Sequence, residues 1–398
     1  MTRQRALVAL IALVPILFAC GDDGDDASPT VTDAPAGTAA PDATTATSAA
    51  TTAGAAGAAT EVVAGEPFPS ERCAENEAAG TITYLSGFDF AATASIIDVV
   101  VAEDAGYFDD LCLDVELTPS FSTANYPLLA AGEAQIASGG SFSEVVDFSA
   151  DNDADLLAVA VEGRTAIDSL ILHPGVAADL EDLAGTTIGV KGKIPPSVAA
   201  MLAGAGLDEG DDYQTVLLDG FDPLAHWALD GIVGFPGYKS NEPGQLERAG
   251  EQFDLFDPTA YDIPGSFGVL VTSRSFADEH PTALQDFLRA TMRGLEDAIA
   301  DPAAATQTAI DLVEANGNPS FLSLEGEAFR WQTDSELLTT DTPTGTGIGI
   351  PDVAALQDEV DAYAAVGLFG GMAPDVAPYV DDTPIAGVYD GAAVIWPG

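Results

Sequence analysis

Positive charge is scarce in this chain. Its 398 residues include 12 Lys+Arg against 64 Asp+Glu, a formal net charge of −52 at pH 7, and the lysines are Lys191, Lys193 and Lys239 alone. A nucleic-acid-binding protein needs clustered basic residues to meet phosphates, so that class is excluded. A polybasic contact with anionic lipid is excluded on the same ground. The acidic excess keeps the protein soluble through self-repulsion and suits a salty medium, where screening weakens that repulsion.

Histidine and cysteine are nearly as rare. The three histidines, His173, His226 and His280, lie near no Gly-x-Ser-x-Gly elbow, so a nucleophile–base triad has no support. The three cysteines form no Cys-x-x-Cys pair, and no Cys/His spacing indicates zinc; neither a metal nor a cofactor is expected. The glycine-rich stretch Gly345–Gly349 has no strand before it, which argues against a nucleotide cradle. With so many carboxylates, no glycosidase pair stands out. The reading is a protein that is not an enzyme.

What is present gives an address. Arg3 and Arg5 precede an apolar run from Ala6 to Phe18, too short for a comfortable membrane span and suited to an export signal. The run ends at Leu17-Phe18-Ala19-Cys20, which resembles a bacterial lipobox. Residues 1–19 then read as a lipoprotein signal peptide and Cys20 as the lipidated first mature residue, although Phe18 departs from the small residue usual there. An ordinary signal peptide with an incidental Cys is the alternative. Residues 20–66 read as a tether of Ala, Thr, Gly, Asp and Pro, whose composition cannot offset chain entropy by burial. With Cys20 acylated, an even pair remains in an oxidising compartment, and a Cys73–Cys112 disulfide is expected.

At 47% hydrophobic the remainder can build a core. Short strands alternate with helices: strands over 81–87, 113–119, 134–140 and 156–163, helices over 92–105 and 125–132. A second series has strands over 169–175, 186–192 and 230–235, with an apolar helix over 198–205. A strand over 267–273 leads back, and helices follow over 282–300 and 351–367. This is the α/β pattern, in two units. The expected organisation is 67–166 as the first part of lobe 1, 167–267 as lobe 2, and 268–398 as the second part of lobe 1 with C-terminal helices. Ligands of open α/β sheets bind outside the carboxyl ends of strands, so two facing lobes make a cleft.

Several segments carry a family resemblance. Glu103-Asp104-Ala105-Gly106-Tyr107-Phe108, Leu128-Leu129-Ala130-Ala131-Gly132-Glu133 and Asp182-Leu183-Ala184-Gly185-Thr186 stand in order, followed by Lys239-Ser240-Asn241-Glu242-Pro243 and His280-Pro281. Together the chain resembles the periplasmic substrate-binding proteins of the alkanesulfonate, taurine and thiamine-pyrimidine-precursor family. The resemblance implies a two-lobed periplasmic-binding-protein type II fold with two chain crossings, near 163–168 and 265–275. It also implies a small-molecule ligand, an ABC permease as partner, a monomer, and a place on the extracytoplasmic face of the membrane, held by a lipid anchor. A ligand sensor on the same scaffold is the alternative class.

Four strand exits would face the cleft. Phe88, Asp89 and Phe90 can stack on and hydrogen-bond a flat ring, or the aromatics can be core. Ser138, Gly139, Gly140 and Ser141 offer backbone and hydroxyl donors, or make a plain turn. Lys191, Ile194, Pro195 and Ser197 lie ahead of a helix N-terminus, in a region that touches ligand in the family. Tyr238, Asn241 and Glu242 match its pyrimidine-precursor branch, where a Tyr and an acid line the pocket; Asn241 and Glu242 could instead cap a helix. Glu162 is a lesser candidate at the hinge. A neutral or cationic heteroaromatic such as a thiamine pyrimidine precursor is favoured, with a flavin or an alkanesulfonate as alternatives.

The lipobox is checked by labelling: wild-type protein should incorporate palmitate and partition with membranes, and Cys20→Ala should do neither.

Overall fold

The computed structural model describes residues 60–398, apart from 221, 320 and 321. The export segment, Cys20 and the tether up to residue 59 lie outside the described residues. Among those described, no helix is long and apolar enough to cross a membrane.

The main sheet has five strands: β1 (Thr81–Leu85), β2 (Asp114–Thr118), β3 (Ile136–Gly139), β4 (Leu156–Gly163) and a late strand, Phe267–Ser273. Their spatial order is β2, β1, β3, the late strand, β4. β1 runs parallel to both β2 and β3, while the late strand lies antiparallel between β3 and β4. β4 and the late strand are buried along their whole length, as unbroken apolar runs in a central position should be.

Between β4 and the late strand the chain builds separate, smaller sheets. β5 (Asp168–Leu172) lies between β8 (Gly234–Tyr238) and β9 (Asp254–Phe256), antiparallel to both. β6 (Thr187–Val190) pairs in parallel with β7 (Gln214–Leu217). The late strand, β10, returns the chain to the main sheet. The smaller sheets have their own apolar clusters, one around Leu170, Ile188, Val198 and Met201, another around Ile171, Trp227 and Phe235.

Two expectations need correction. The strand read over 230–235 is shifted: β8 covers Gly234–Tyr238, including Pro236. β8 is an edge strand, so the missing Pro236 N–H leaves no ladder donor vacant. Three long helices escaped the periodicity reading: Phe142–Asn152, Pro302–Asn316 and Leu324–Asp341. The first is opened by Ser141, whose side chain accepts the Glu144 N–H, a cap signature visible in the sequence. The third carries buried Glu327, Arg330 and Asp334 among its apolar residues, which blurs its stripe.

The main core packs the helices Ile97–Asp104 and Pro281–Ala300 against the sheet, with Phe108 stacked on Phe287 at 5.0 Å. Cys73 and Cys112 are bonded, with Cα atoms 5.3 Å apart; the 39-residue separation corresponds to roughly 4 kcal/mol in the chain-entropy model. Beside the bridge, buried Asp286 receives Arg72 at 2.6 Å and Arg289 at 3.0 Å.

Glu162 does not reach a cleft. It is fully buried on β4, where one oxygen accepts the Ser95 N–H at 3.1 Å. Its other oxygen and both oxygens of buried Asp98 meet no fixed donor, so the two carboxyls are satisfied by sharing a proton. Burial raises both, and the Asp98 charge pushes Glu162 further up. Groups raised on folding stabilise below the ordinary carboxyl range and lose that contribution as pH climbs through the folded values. Glu162→Gln supplies a permanent neutral partner, so its melting temperature should fall less between about pH 5 and pH 8 than that of wild type. One proton corresponds to at most about 1.4 kcal/mol per pH unit; parallel melting curves would overturn the shared-proton account.

Candidate functional site

The second wall of the site begins at the β5–β8 ladder, where Asp168 and Tyr238 are register partners. Asp168 is the first residue of β5 and half-buried. Its Oδ2 accepts the Ser197 hydroxyl at 3.2 Å, from the buried first turn of the helix Pro196–Gly204. Tyr238 ends β8 with its side chain 45% exposed, unusual for an aromatic at a strand exit.

Glu242 opens the next helix and is almost wholly buried. One of its oxygens takes Lys191 Nζ at 2.7 Å and the other accepts the Tyr238 N–H at 2.8 Å. Glycine at 237 makes this fold possible, because a Cβ there would come within 2.9 Å of the Glu242 side chain. Both carboxylate oxygens are therefore engaged within the protein. The expectation that Glu242 offers a free acceptor to a ligand is corrected: it fixes the Tyr238 loop and holds Lys191. Asn241 caps nothing with its side chain; its Oδ1 accepts Arg330 at 2.9 Å and Gln245 at 3.0 Å.

The first wall comes from the main sheet. Gly139 and Gly140 follow β3, and Ser141 caps the helix that carries Glu144. The Tyr126 hydroxyl, buried behind them, lies 3.4 Å from both Glu144 Oε2 and the Gly140 N–H. The Glu144 carboxylate folds over Gly140, where a Cβ would sit 2.5 Å from Oε2. Ser138 is buried and bonds Ser95 at 2.7 Å, so it supports this wall from behind.

Glu144 touches solvent, yet burial pushes its carboxyl up to about 7, with Asp168 as the largest charged contributor. Asp168 is raised to about 6, again by burial first, with the Ser197 bond opposing and the Glu242 charge adding. Tyr238 is exposed, yet burial and then Asp168, Glu144 and Glu242 push its hydroxyl well up. Groups that protein surrounds on most sides are harder to ionise than groups on a convex surface. Acids of the main sheet and of the smaller sheets act on one another here.

The remaining expected residues are scattered. Phe90 is 1% exposed and belongs to the main core. Ile194 is buried in a core cluster of the smaller sheets, and Pro195 precedes the helix as its N-cap. Asp89 accepts the Phe90 and Asn318 N–H groups, at 2.8 and 2.7 Å, and so clamps a loop. Phe88 lines a recess of about 220 Å³ with Phe121 and Leu322. Arg330 connects that recess to the cleft: its guanidinium lies 5.9 Å from the Phe88 ring centroid while it bonds Asn241 and, at 3.1 Å, Glu327.

Sequence reasoning missed Glu144, Asp168 and Arg330. Arg330 had a signal, since any basic residue is notable in a chain with 12 of them. The two acids had none among 64. No group of His, Cys, Asp and Glu able to hold a metal occurs among the described residues.

A profile of the NMT1/THI5 like family matches residues 93–305, more than half of the chain. The formylaminopyrimidine-binding protein of Halalkalibacterium halodurans is 26% identical over 264 residues, 64% of this chain and 77% of that protein. The riboflavin-binding protein RibY of Chloroflexus aurantiacus is 31% identical over 140 residues, 34% of this chain and 39% of that protein. Among solved structures, the MOPS-bound alkanesulfonate-binding protein SsuA of Xanthomonas axonopodis pv. citri gives a TM-score of 0.52 at 16% identity, covering 75% of this chain and 97% of that one. The zinc-bound ligand-binding component of an ABC-type import system from Staphylococcus aureus gives 0.52 at 12% identity, covering 77% and 97%. The fold is thus that of periplasmic binding proteins.

The Lys191–Glu242 pair is testable by a double-mutant cycle. Glu242→Gln and Lys191→Met should each destabilise by about 1–2 kcal/mol in chemical denaturation. The double variant should lose less than their sum by more than about 0.5 kcal/mol.

Proposed function

The chain belongs to the NMT1/THI5-like family, and from that premise we propose that it is the extracytoplasmic solute-binding component of an ABC importer. Its task is capture and delivery of a small molecule to a permease, without chemical change to that molecule. In this reading the main sheet and the smaller sheets are two lobes, 67–166 with 268–398 and 167–267. The chain segments near 163–168 and 265–275 are the crossings between them. Cys20 carries the lipid that anchors the mature protein, and residues 20–66 are the leash that lets it reach the permease while the lobes stay in solution.

The ligand is a flat, amino-bearing heteroaromatic of the pyrimidine-precursor kind, bound between the lobes. One observation carries this choice: Tyr238 is an exposed aromatic at the end of β8, and the charges of Asp168, Glu144 and Glu242 all act on its hydroxyl. An aromatic face offers stacking at low entropic cost, and carboxylates accept amino hydrogens. The similarity to a formylaminopyrimidine-binding protein over 64% of the chain supports it. The shorter similarity to a riboflavin-binding protein makes a flavin the second reading. A sulfonate would meet Glu144, Asp168 and Glu242 with like charge, and Lys191, Lys239 and Arg330 are already paired.

Calorimetry with formylaminopyrimidine tests the reading. Wild-type protein should bind it, and Tyr238→Ala should weaken binding by about tenfold through lost stacking. Binding of riboflavin alone would favour the second reading. Turnover of the ligand would overturn both.

A further inference from the structure

Helix Leu324–Asp341 touches both parts of the fold. Toward the main sheet it pins the segment that follows β1. Glu327 Oε2 accepts the Ala92 N–H at 2.8 Å, and Asp334 Oδ2 accepts the Ala94 N–H at 3.2 Å together with the Thr93 hydroxyl. Trp331 donates its ring N–H to the Ala298 carbonyl at 2.9 Å, on the long helix Pro281–Ala300. Glu327, Trp331 and Asp334 are all buried. A buried carboxylate bonded to a backbone N–H fixes that peptide as firmly as itself, so this helix and the exit of β1 form one unit.

Its other contacts are with the smaller sheets. Arg330 Nη2 donates to Asn241 Oδ1 at 2.9 Å, just past the end of β8 at Tyr238. The same guanidinium lies 5.9 Å from the ring centroid of Phe88, just past the end of β1 at Leu85. One side chain therefore stands between two strand exits, one from each part. Phe329 packs so closely on Gly244 of the helix Glu242–Ala249 that a Cβ there would fall 2.4 Å from its ring. A Cβ on Gly326 would sit 3.5 Å from Arg248 Nη2 of that helix. Elsewhere the fit is looser: a cavity of about 300 Å³ lies between the helix Pro196–Gly204 and the end of the helix Val353–Ala365, lined by Lys193, Ala203, Tyr213 and Ala365.

We infer that Arg330 is a positioning residue, and that the helix Leu324–Asp341 is a latch that holds the smaller sheets against the main sheet before any ligand arrives. The inference rests on the reading of the two parts as lobes of a solute-binding protein. In that reading the two chain crossings let the lobes hinge, and the latch is a third link made by side chains alone. Its contacts need no ligand atom. They also part cleanly: Arg330 still has Glu327 at 3.1 Å and Asn241 still has Gln245 at 3.0 Å, so separation strands neither a cation nor an amide. A small molecule enters or leaves the space between the lobes only while the latch is open, so the latch slows both events. Because it stabilises the closed arrangement with and without ligand, it sets the rates more than the affinity.

Three substitutions break the seam from different sides. Arg330→Met and Asn241→Leu each remove the bond between the two parts. Gly244→Ala sets a methyl group 2.4 Å from the Phe329 ring and wedges the two helices apart. Position 244 lies inside a helix, where alanine is otherwise favoured over glycine, so this variant carries the test if Arg330→Met folds poorly. Thermal melting checks folding. Small-angle scattering without added ligand should give each folded variant a larger radius of gyration than wild type. Folded variants that scatter as wild type does would overturn the inference, whatever they bind. Stopped-flow mixing with formylaminopyrimidine as the probe adds a kinetic readout. Association and dissociation should both speed up by about threefold to tenfold, with affinity changed less than either rate. Slower association in the variants would mark Arg330 as a ligand contact or a purely structural residue and would overturn the latch. A wild-type protein that binds no formylaminopyrimidine would overturn the pyrimidine reading alone, since scattering decides the latch without any ligand.

Discussion

The late strand Phe267–Ser273 is the constraint on which the architecture depends. It enters the middle of the main sheet, antiparallel to Ile136–Gly139 on one side and to Leu156–Gly163 on the other. Every residue in it is buried. Its backbone donors and acceptors are satisfied only in that slot, and an unsatisfied buried peptide group costs free energy comparable to a lost hydrogen bond. A strand that must return to the centre of a sheet obliges the hundred or so residues before it to leave and re-enter at the same edge. The smaller sheets therefore stand beside the carboxyl ends of β1 and β3, where ligands of α/β sheets bind.

Charge is sorted within this frame. Most of the 64 acids are solvated and repel one another through water. The few cations are spent on fixed structural tasks: Arg72 and Arg289 neutralise Asp286 in the core, Lys191 holds Glu242, and Arg330 ties Glu327 and Asn241 to the edge of the Phe88 ring. The carboxyls left without cations follow two different courses. Asp98 and Glu162 are sealed beneath the sheet and share a proton. Glu144 and Asp168 take part in no ion pair among the described residues.

Much of this was legible along the chain. β4 and β10 read cleanly because continuous apolar runs bounded by Gly163 and Ser273 have few alternatives. The helix Pro281–Ala300 declared itself through Leu284, Phe287, Leu288 and Leu295 on one face. The helix Leu324–Asp341 did not, since it buries charged residues against two different neighbours and its pattern carries no single stripe. Tyr238 was expected just after a strand from topology and family pattern, and it ends β8. Its neighbour Glu242 was assigned the wrong task, because a sequence shows a carboxylate but not the lysine, 51 positions away, that occupies it.

The sequence by itself determined the α/β class, the family resemblance and the candidate cysteine pair, all of which follow from local composition, period and order. Which carboxylates are paired, which share a proton and which stand open was decided only by the tertiary structure. Ion pairing depends on distances of a few ångströms between residues far apart in the chain, and burial depends on everything packed around them. Neither quantity is encoded in any single stretch of residues.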